Sequence, residues 1–225
     1  MKKYGFTLAE VLITLAIIGV IATLTLPALM TNVRERQYIT GLKKVVNTLS
    51  FAGEMSENQY GYNFSDVSAK YTTDETFDDE GYLNPNLISL LQATTQVAEV
   101  SRTDLFMGSD VYLSFRDGTA ILVADYSSFA SAISSNAIPI AIDTNGRKGP
   151  NTFSNCDGNK ALKKGFNVTT LVKALNLSLG KATIDSNDPK CLDKSKRVIS
   201  DRFIFYLYEN HVAPLDSVSA WAMQQ

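Results

Sequence analysis

The chain has 225 residues, 21 basic and 23 acidic side chains, one histidine, two cysteines and a formal net charge of −2. A balance this close to neutral excludes a protein built as a basic nucleic-acid binder. No phosphate loop, dinucleotide motif or metal-ligand spacing occurs either, so the common cofactor enzymes find no footing here.

The N-terminal thirty residues carry the strongest signal. From Phe6 to Met30 the only ionisable side chain is Glu10, and the run exceeds the ~20 residues with which a helix crosses a hydrocarbon core. It predicts a membrane helix. Lys2 and Lys3 precede it and Arg34, Glu35 and Arg36 follow, so basic residues flank both ends and do not set the orientation. Glu10 is the informative residue. A lone carboxylate costs ~2.5 kcal/mol at the bilayer centre and less near the interface, so it either has a partner or snorkels and does nothing. A cleaved secretory leader shares the basic and apolar regions. Against it stand the length of the run, the acid inside it and the lack of a small-x-small site before Met30.

Lys2-Lys3, then Gly5-Phe6-Thr7-Leu8-Ala9-Glu10 and Val11-Leu12-Ile13, resembles the class III leader of type IV pilins and type II secretion pseudopilins. The resemblance implies cleavage between Gly5 and Phe6 by a prepilin peptidase on the cytoplasmic side, N-methylation of Phe6, and Glu10 as the assembly glutamate. Cleavage creates an amine at Phe6, and stacked helices can set that cation beside a neighbour's carboxylate. Either charge buried alone would cost several kcal/mol, so Glu10 would set the axial register between subunits. Pro27 removes an intrahelical hydrogen bond and, with Gly19 upstream, marks a segment able to bend or melt. The implied partners are the peptidase, other pilin or pseudopilin subunits, an inner-membrane assembly platform and the membrane itself, with no nucleic acid. The implied location is the bacterial inner membrane, single-pass with an extracytoplasmic globular domain, and then a pilus or pseudopilus.

The same resemblance implies an α+β, pilin-like fold: a long N-terminal helix, transmembrane then amphipathic, packed on an antiparallel sheet, with a disulfide-closed insertion. The expected divisions are a leader at 1–5, an assembly helix at 6–30, its amphipathic half at 31–60 and one globular domain at 61–225, with the insertion at 152–200. Removing residues 1–5 takes away two lysines and leaves −4 before the new amine is counted.

Beyond Pro27, Leu42, Val45, Val46 and Leu49 repeat at i, i+3, i+4, i+7, the pattern of one buried helix face. The helix is expected to end near Glu57–Tyr60 with Gly61 as its C-terminal cap, roughly 75 to 80 Å from Phe6 at ~1.5 Å per residue. Residues 62–86 are polar, acidic at Asp74-Glu75 and Asp78-Asp79-Glu80, and read as a solvated connection. Leu87–Leu91 predicts a short helix capped by Asn86; from there to Gly108 the pattern is silent. Tyr112–Phe115 and Thr119–Val123 flank Arg116-Asp117-Gly118, a hairpin signal. Ala137–Ile142 predicts a further strand, at a sheet edge because Pro139 cannot donate to a ladder. Phe203–Tyr208 is apolar on both alternating faces and requires cover on both.

Asp143-x-Asn145-Gly146 could open a calcium loop, and some pseudopilins bind calcium near their C-termini, but the EF-hand positions that require Gly and an acid hold Lys148 and Ser154. A turn in which Asp143 and Asn145 bond the local backbone is the stronger reading, with no cofactor. Asp143 to Asn151 followed by Asp201, Phe203 and Phe205 is similar to the C-terminal region of many short pilin-like proteins. Between the two halves about fifty residues are inserted, with a helical pattern at Leu171, Val172, Leu175 and Leu179. In an oxidising compartment Cys156 and Cys191 read as one disulfide, closing a loop that the chain-entropy model stabilises by ~3–4 kcal/mol.

Other readings are weaker. His211 follows a strand and looks like part of an ordinary turn; pairing it with a cysteine as a catalytic dyad would need free thiols. Lys160, Lys163 and Lys164 form a small basic patch, too small for uptake of DNA and better read as solvated. Asn63, Asn167 and Asn176 begin chance glycosylation triplets. Trp221 is expected in the core. The reading from a different class is a membrane-tethered binding module, adhesin-like or calcium-dependent.

Overall fold

The computed structural model describes residues 5–67, 87–103, 110–124, 137–158 and 188–225. The acidic cluster at 74–80, Asn86, the lysines at 160–164, Asn167, Asn176 and the helical pattern at 171–179 lie outside the described residues. Two compact units are distinguished, Met1–Gln37 and Tyr38–Gln225.

The first unit is helical. Helix α1 runs Leu8–Tyr60 with Pro27 inside it, and it is one helix long and apolar enough to cross a membrane. Its large apolar side chains from Leu8 to Met30 are exposed. Apart from Glu10, the polar side chains in this stretch are threonines, and they turn inward onto the backbone. Thr14 donates to Val11 O at 2.9 Å, Thr23 to Val20 O at 2.8 Å and Thr25 to Ile21 O at 3.0 Å. A hydroxyl so bonded carries its own acceptor into an apolar solvent.

The second unit is an α+β domain. The C-terminal part of α1 buries Leu42, Val45, Val46, Leu49 and Ala52 against a six-stranded antiparallel sheet whose order follows the chain. The strands are β1 Val97–Thr103, β2 Asp110–Phe115, β3 Ala120–Ala124, β4 Ile138–Asp143, β5 Arg202–Tyr208 and β6 His211–Pro214. Side chains alternate across the pleat. Val111, Leu113, Ile121, Val123, Ile140, Ile142, Phe203 and Phe205 therefore share the face that meets α1 in one core. Helix α2, Leu87–Thr94, adds Leu87, Leu90 and Leu91 to that core. Helix α1 stops as its sequence predicts, with Gly61 at φ +76° bonding Glu57 O at 3.0 Å.

Tyr112, Leu122, Ala141 and Ile204 lie on the opposite face and are buried too, so β5 is covered on both sides, as its doubly apolar sequence requires. The hairpin at Asp117-Gly118 forms, with Gly118 at φ +87° and Thr119 N–H and Oγ1 both donating to Asp117 Oδ1 at 2.9 and 2.7 Å. Strand β4 corrects the expectation of an edge. It pairs β3 through Val123↔Ile140 and β5 through Ile138↔Leu207. Pro139 stays compatible because it is the second residue of β4 and the ladder with β3 ends one residue away. His211 also differs from expectation: Glu209 and Asn210 make the turn and His211 opens β6. A short helix α3, Pro189–Leu192, precedes β5, and α4, Ser217–Gln224, follows β6.

Candidate assembly and processing site

The start of α1 is built by Thr7 and Glu10. Thr7 Oγ1 accepts from Glu10 N–H at 3.3 Å, and Glu10 Oε2 accepts from Thr7 N–H at 2.8 Å and from the Thr7 hydroxyl at 2.9 Å. This is a capping box, in which two groups without helical partners satisfy each other. The carboxylate is thereby engaged within its own chain and held on the first turn, where the helix dipole favours a negative charge. Thr7 was readable from its spacing, Thr-x-x-Glu ahead of an apolar run. Gly5 and Phe6 precede the helix without regular secondary structure, and Phe6 is 88% exposed.

A second polar cluster stands at the end of β4. Arg202 Nε donates to Asp143 Oδ2 at 2.9 Å, both side chains being almost wholly buried, and Arg202 Nη2 reaches Asn151 Oδ1 at 3.3 Å. Burial pushes the Asp143 carboxyl up to about 6, against the pull of the Arg202 guanidinium. The local turn contributes as well, with Asn145 N–H donating to Asp143 Oδ1 at 3.3 Å and Asn145 Nδ2 to Gly149 O at 3.2 Å. Beside it the Asp201 carboxylate accepts from Asn151 N–H at 2.7 Å and Thr152 N–H at 2.9 Å, while Thr144 N–H bonds Asp201 O at 2.9 Å. Residues 143–152 are thus clasped to the start of β5. Among the described residues no group of three or more His, Cys, Asp or Glu is placed to hold a metal.

Cys156 and Cys191 form a disulfide. Trp221 is 8% exposed and belongs to the core, as expected.

Residues 1–26 match the family of the prokaryotic N-terminal methylation motif. The leader resembles that of a type IV pilin-like precursor. The motif points to a structural subunit rather than an enzyme, and a prepilin leader implies processing by prepilin peptidase and assembly with other pilins. In such a precursor the apolar helix is the membrane anchor, and Glu10 sits four residues after Phe6 on its first turn. Comparison with characterised proteins and with solved structures finds no match, so the likeness rests on the leader.

Proposed function

We propose that the chain is a minor pilin or pseudopilin, a structural subunit of a type IV pilus or type II secretion filament. The observation that carries this reading is the methylation motif over residues 1–26 at the head of an apolar stretch of α1 whose large side chains are exposed and whose one acid as far as Met30 is Glu10. Prepilin peptidase cuts between Gly5 and Phe6, Phe6 is N-methylated, and the helix anchors the subunit in the inner membrane with its globular domain outside the cytoplasm. On assembly Glu10 exchanges its capping bonds to Thr7 for the terminal amine of a neighbouring subunit's Phe6. The capping box supports that step, because it keeps the carboxylate satisfied until the exchange occurs and so limits the cost of an unpaired charge in lipid.

Intact mass with N-terminal fragmentation of the membrane-extracted protein tests the processing. A chain beginning at N-methyl-Phe6 is expected; one still beginning at Met1 would leave a tethered module, and one beginning near Met30 an ordinary secretory protein. Glu10→Ala tests the assembly: the variant should accumulate in the membrane, be processed, and be missing from sheared filaments. Incorporation at the wild-type level would remove Glu10 from the mechanism.

A further inference from the structure

Both cysteines of the disulfide lie in the core of the domain. Cys191 lies in the short helix α3 and is fully buried, with Asp188 capping that helix through Lys190 N–H at 2.9 Å. Downstream, Val198 forms a two-way bridge with Asn155, N–H to O at 2.8 and 3.0 Å. Residues 191 and 198 are therefore both tied to the 155–156 segment, one by a covalent bond and the other by backbone pairing. Arg197 sits between these ties. Its Nη1 donates to Cys191 O at 2.7 Å, and its guanidinium carbon stands 3.7 Å from the centroid of the Trp221 ring. Trp221 is the only tryptophan of the chain and the large side chain by which α4 enters the core, beside Val218 and Ala222.

We infer that Arg197 is a coupling residue through which the oxidation state of Cys156 and Cys191 sets how firmly the C-terminal helix α4 is seated. A guanidinium stacks flat on an indole only where its hydrogen bonds fix its plane, and the fixing acceptor here is the carbonyl of a cystine residue. In the dithiol form Cys191 loses its covalent tie, its carbonyl is free to move, and the fork that holds Arg197 over Trp221 loses its anchor. The apolar face of α4 then loosens from the core while the sheet, which makes its own ladder and core contacts, persists. Closure proceeds by thiol–disulfide exchange: a protein disulfide oxidant forms a mixed disulfide with one cysteine, and the thiolate of the other attacks it. The S–S bond forms as the oxidant leaves with two electrons and, with the two protons given up by the cysteines, becomes a dithiol. The subunit thus completes its C-terminal packing only after oxidation.

Quenching of Trp221 fluorescence by acrylamide, followed in the full-length detergent-solubilised chain with far-UV circular dichroism on the same samples, tests this. In the oxidised protein quenching should be weak. Dithiothreitol, with both thiols verified by alkylation, should raise it severalfold and leave the far-UV spectrum unchanged. Oxidised Arg197→Ala should already show the raised quenching and respond no further to the reductant. Arg197→Lys, which keeps the charge and loses the flat donor fork, is read the same way if the alanine variant does not fold. Unchanged quenching on reduction would overturn the inference, as would a full response in the Arg197 variant. So would loss of the far-UV spectrum on reduction, because the disulfide would then hold the whole domain rather than one helix.

Discussion

Asp216 caps α4, its carboxylate accepting from Ser219 N–H at 2.8 Å, and burial pushes its carboxyl from 3.8 up to about 6, against the pull of those Ser219 bonds. Asp143 is raised to about 6 as well. Between about pH 4 and 6 the folded chain therefore binds more protons at these sites than the unfolded chain, so their contribution to stability falls as pH rises through that window and is level above it. For Asp117, burial works upward but the hydrogen bonds from Lys44 and Thr119 win and lower it; Asp193 is lowered by its bonds to Ser195. Those two act in the opposite sense and only as pH drops below about 4. The urea midpoint should thus fall between pH 4.5 and 7 by less in Asp216→Asn, which keeps a capping acceptor, than in the wild type. Equal falls would remove Asp216 as a source. The Asp143–Arg202 pair gives a larger effect. Asp143→Ala strands a buried guanidinium and should cost about 3–5 kcal/mol in urea unfolding, and Asp143→Leu with Arg202→Met should recover most of it. The double variant's remaining as unstable as the single would show that the pair is not the origin of the loss.

At the scale of elements, close approach between segments explains two glycines. A Cβ on Gly146 would stand 2.6 Å from Gly118 O, and its φ is +64°; a Cβ on Gly53 would stand 2.7 Å from Phe64 Cε2. The first contact is with backbone, which cannot turn aside, so Gly146→Ala should lower stability by about 1–3 kcal/mol. A melting temperature within error of wild type would mean that the hairpin and the 143–151 turn can separate freely. The legible elements are those whose cause is local. The Asp-Gly hairpin, the Gly61 stop and the heptad-like face of Leu42 to Leu49 each depend on neighbours a few residues away. Strand β1 was not legible, because Val97-Ala98-Glu99-Val100-Ser101-Arg102-Thr103 is a largely exposed end strand with a register shift between Val97 and Glu99, and exposure erases alternation. Pro139 misled because a rule about donors says nothing of where the neighbouring ladder stops. Strand β6, only His211–Pro214, is too short for any periodic signal.

For the whole molecule, the leader, anchor and cysteine pair were readable since each is a composition or spacing, whereas the Arg202 bond to Asp143 joins positions 59 apart and exists only once β4 and β5 are paired. The disulfide spans a separation of 35 residues. Its removal in Cys156→Ser with Cys191→Ser should lower global stability by about 3 kcal/mol through the entropy of the unfolded chain, with the native far-UV spectrum retained. A loss under about 1 kcal/mol by urea titration would place its stabilising effect elsewhere.

The clasp at the mouth of the β4–β5 connection has one more consequence. Asp143, Thr144, Asn151 and Thr152 are fastened to Asp201 and Arg202, so the two strands meet in fixed register before the chain departs and again after it returns. A change at any of these six positions therefore bears on the register of the sheet itself, well away from any strand centre.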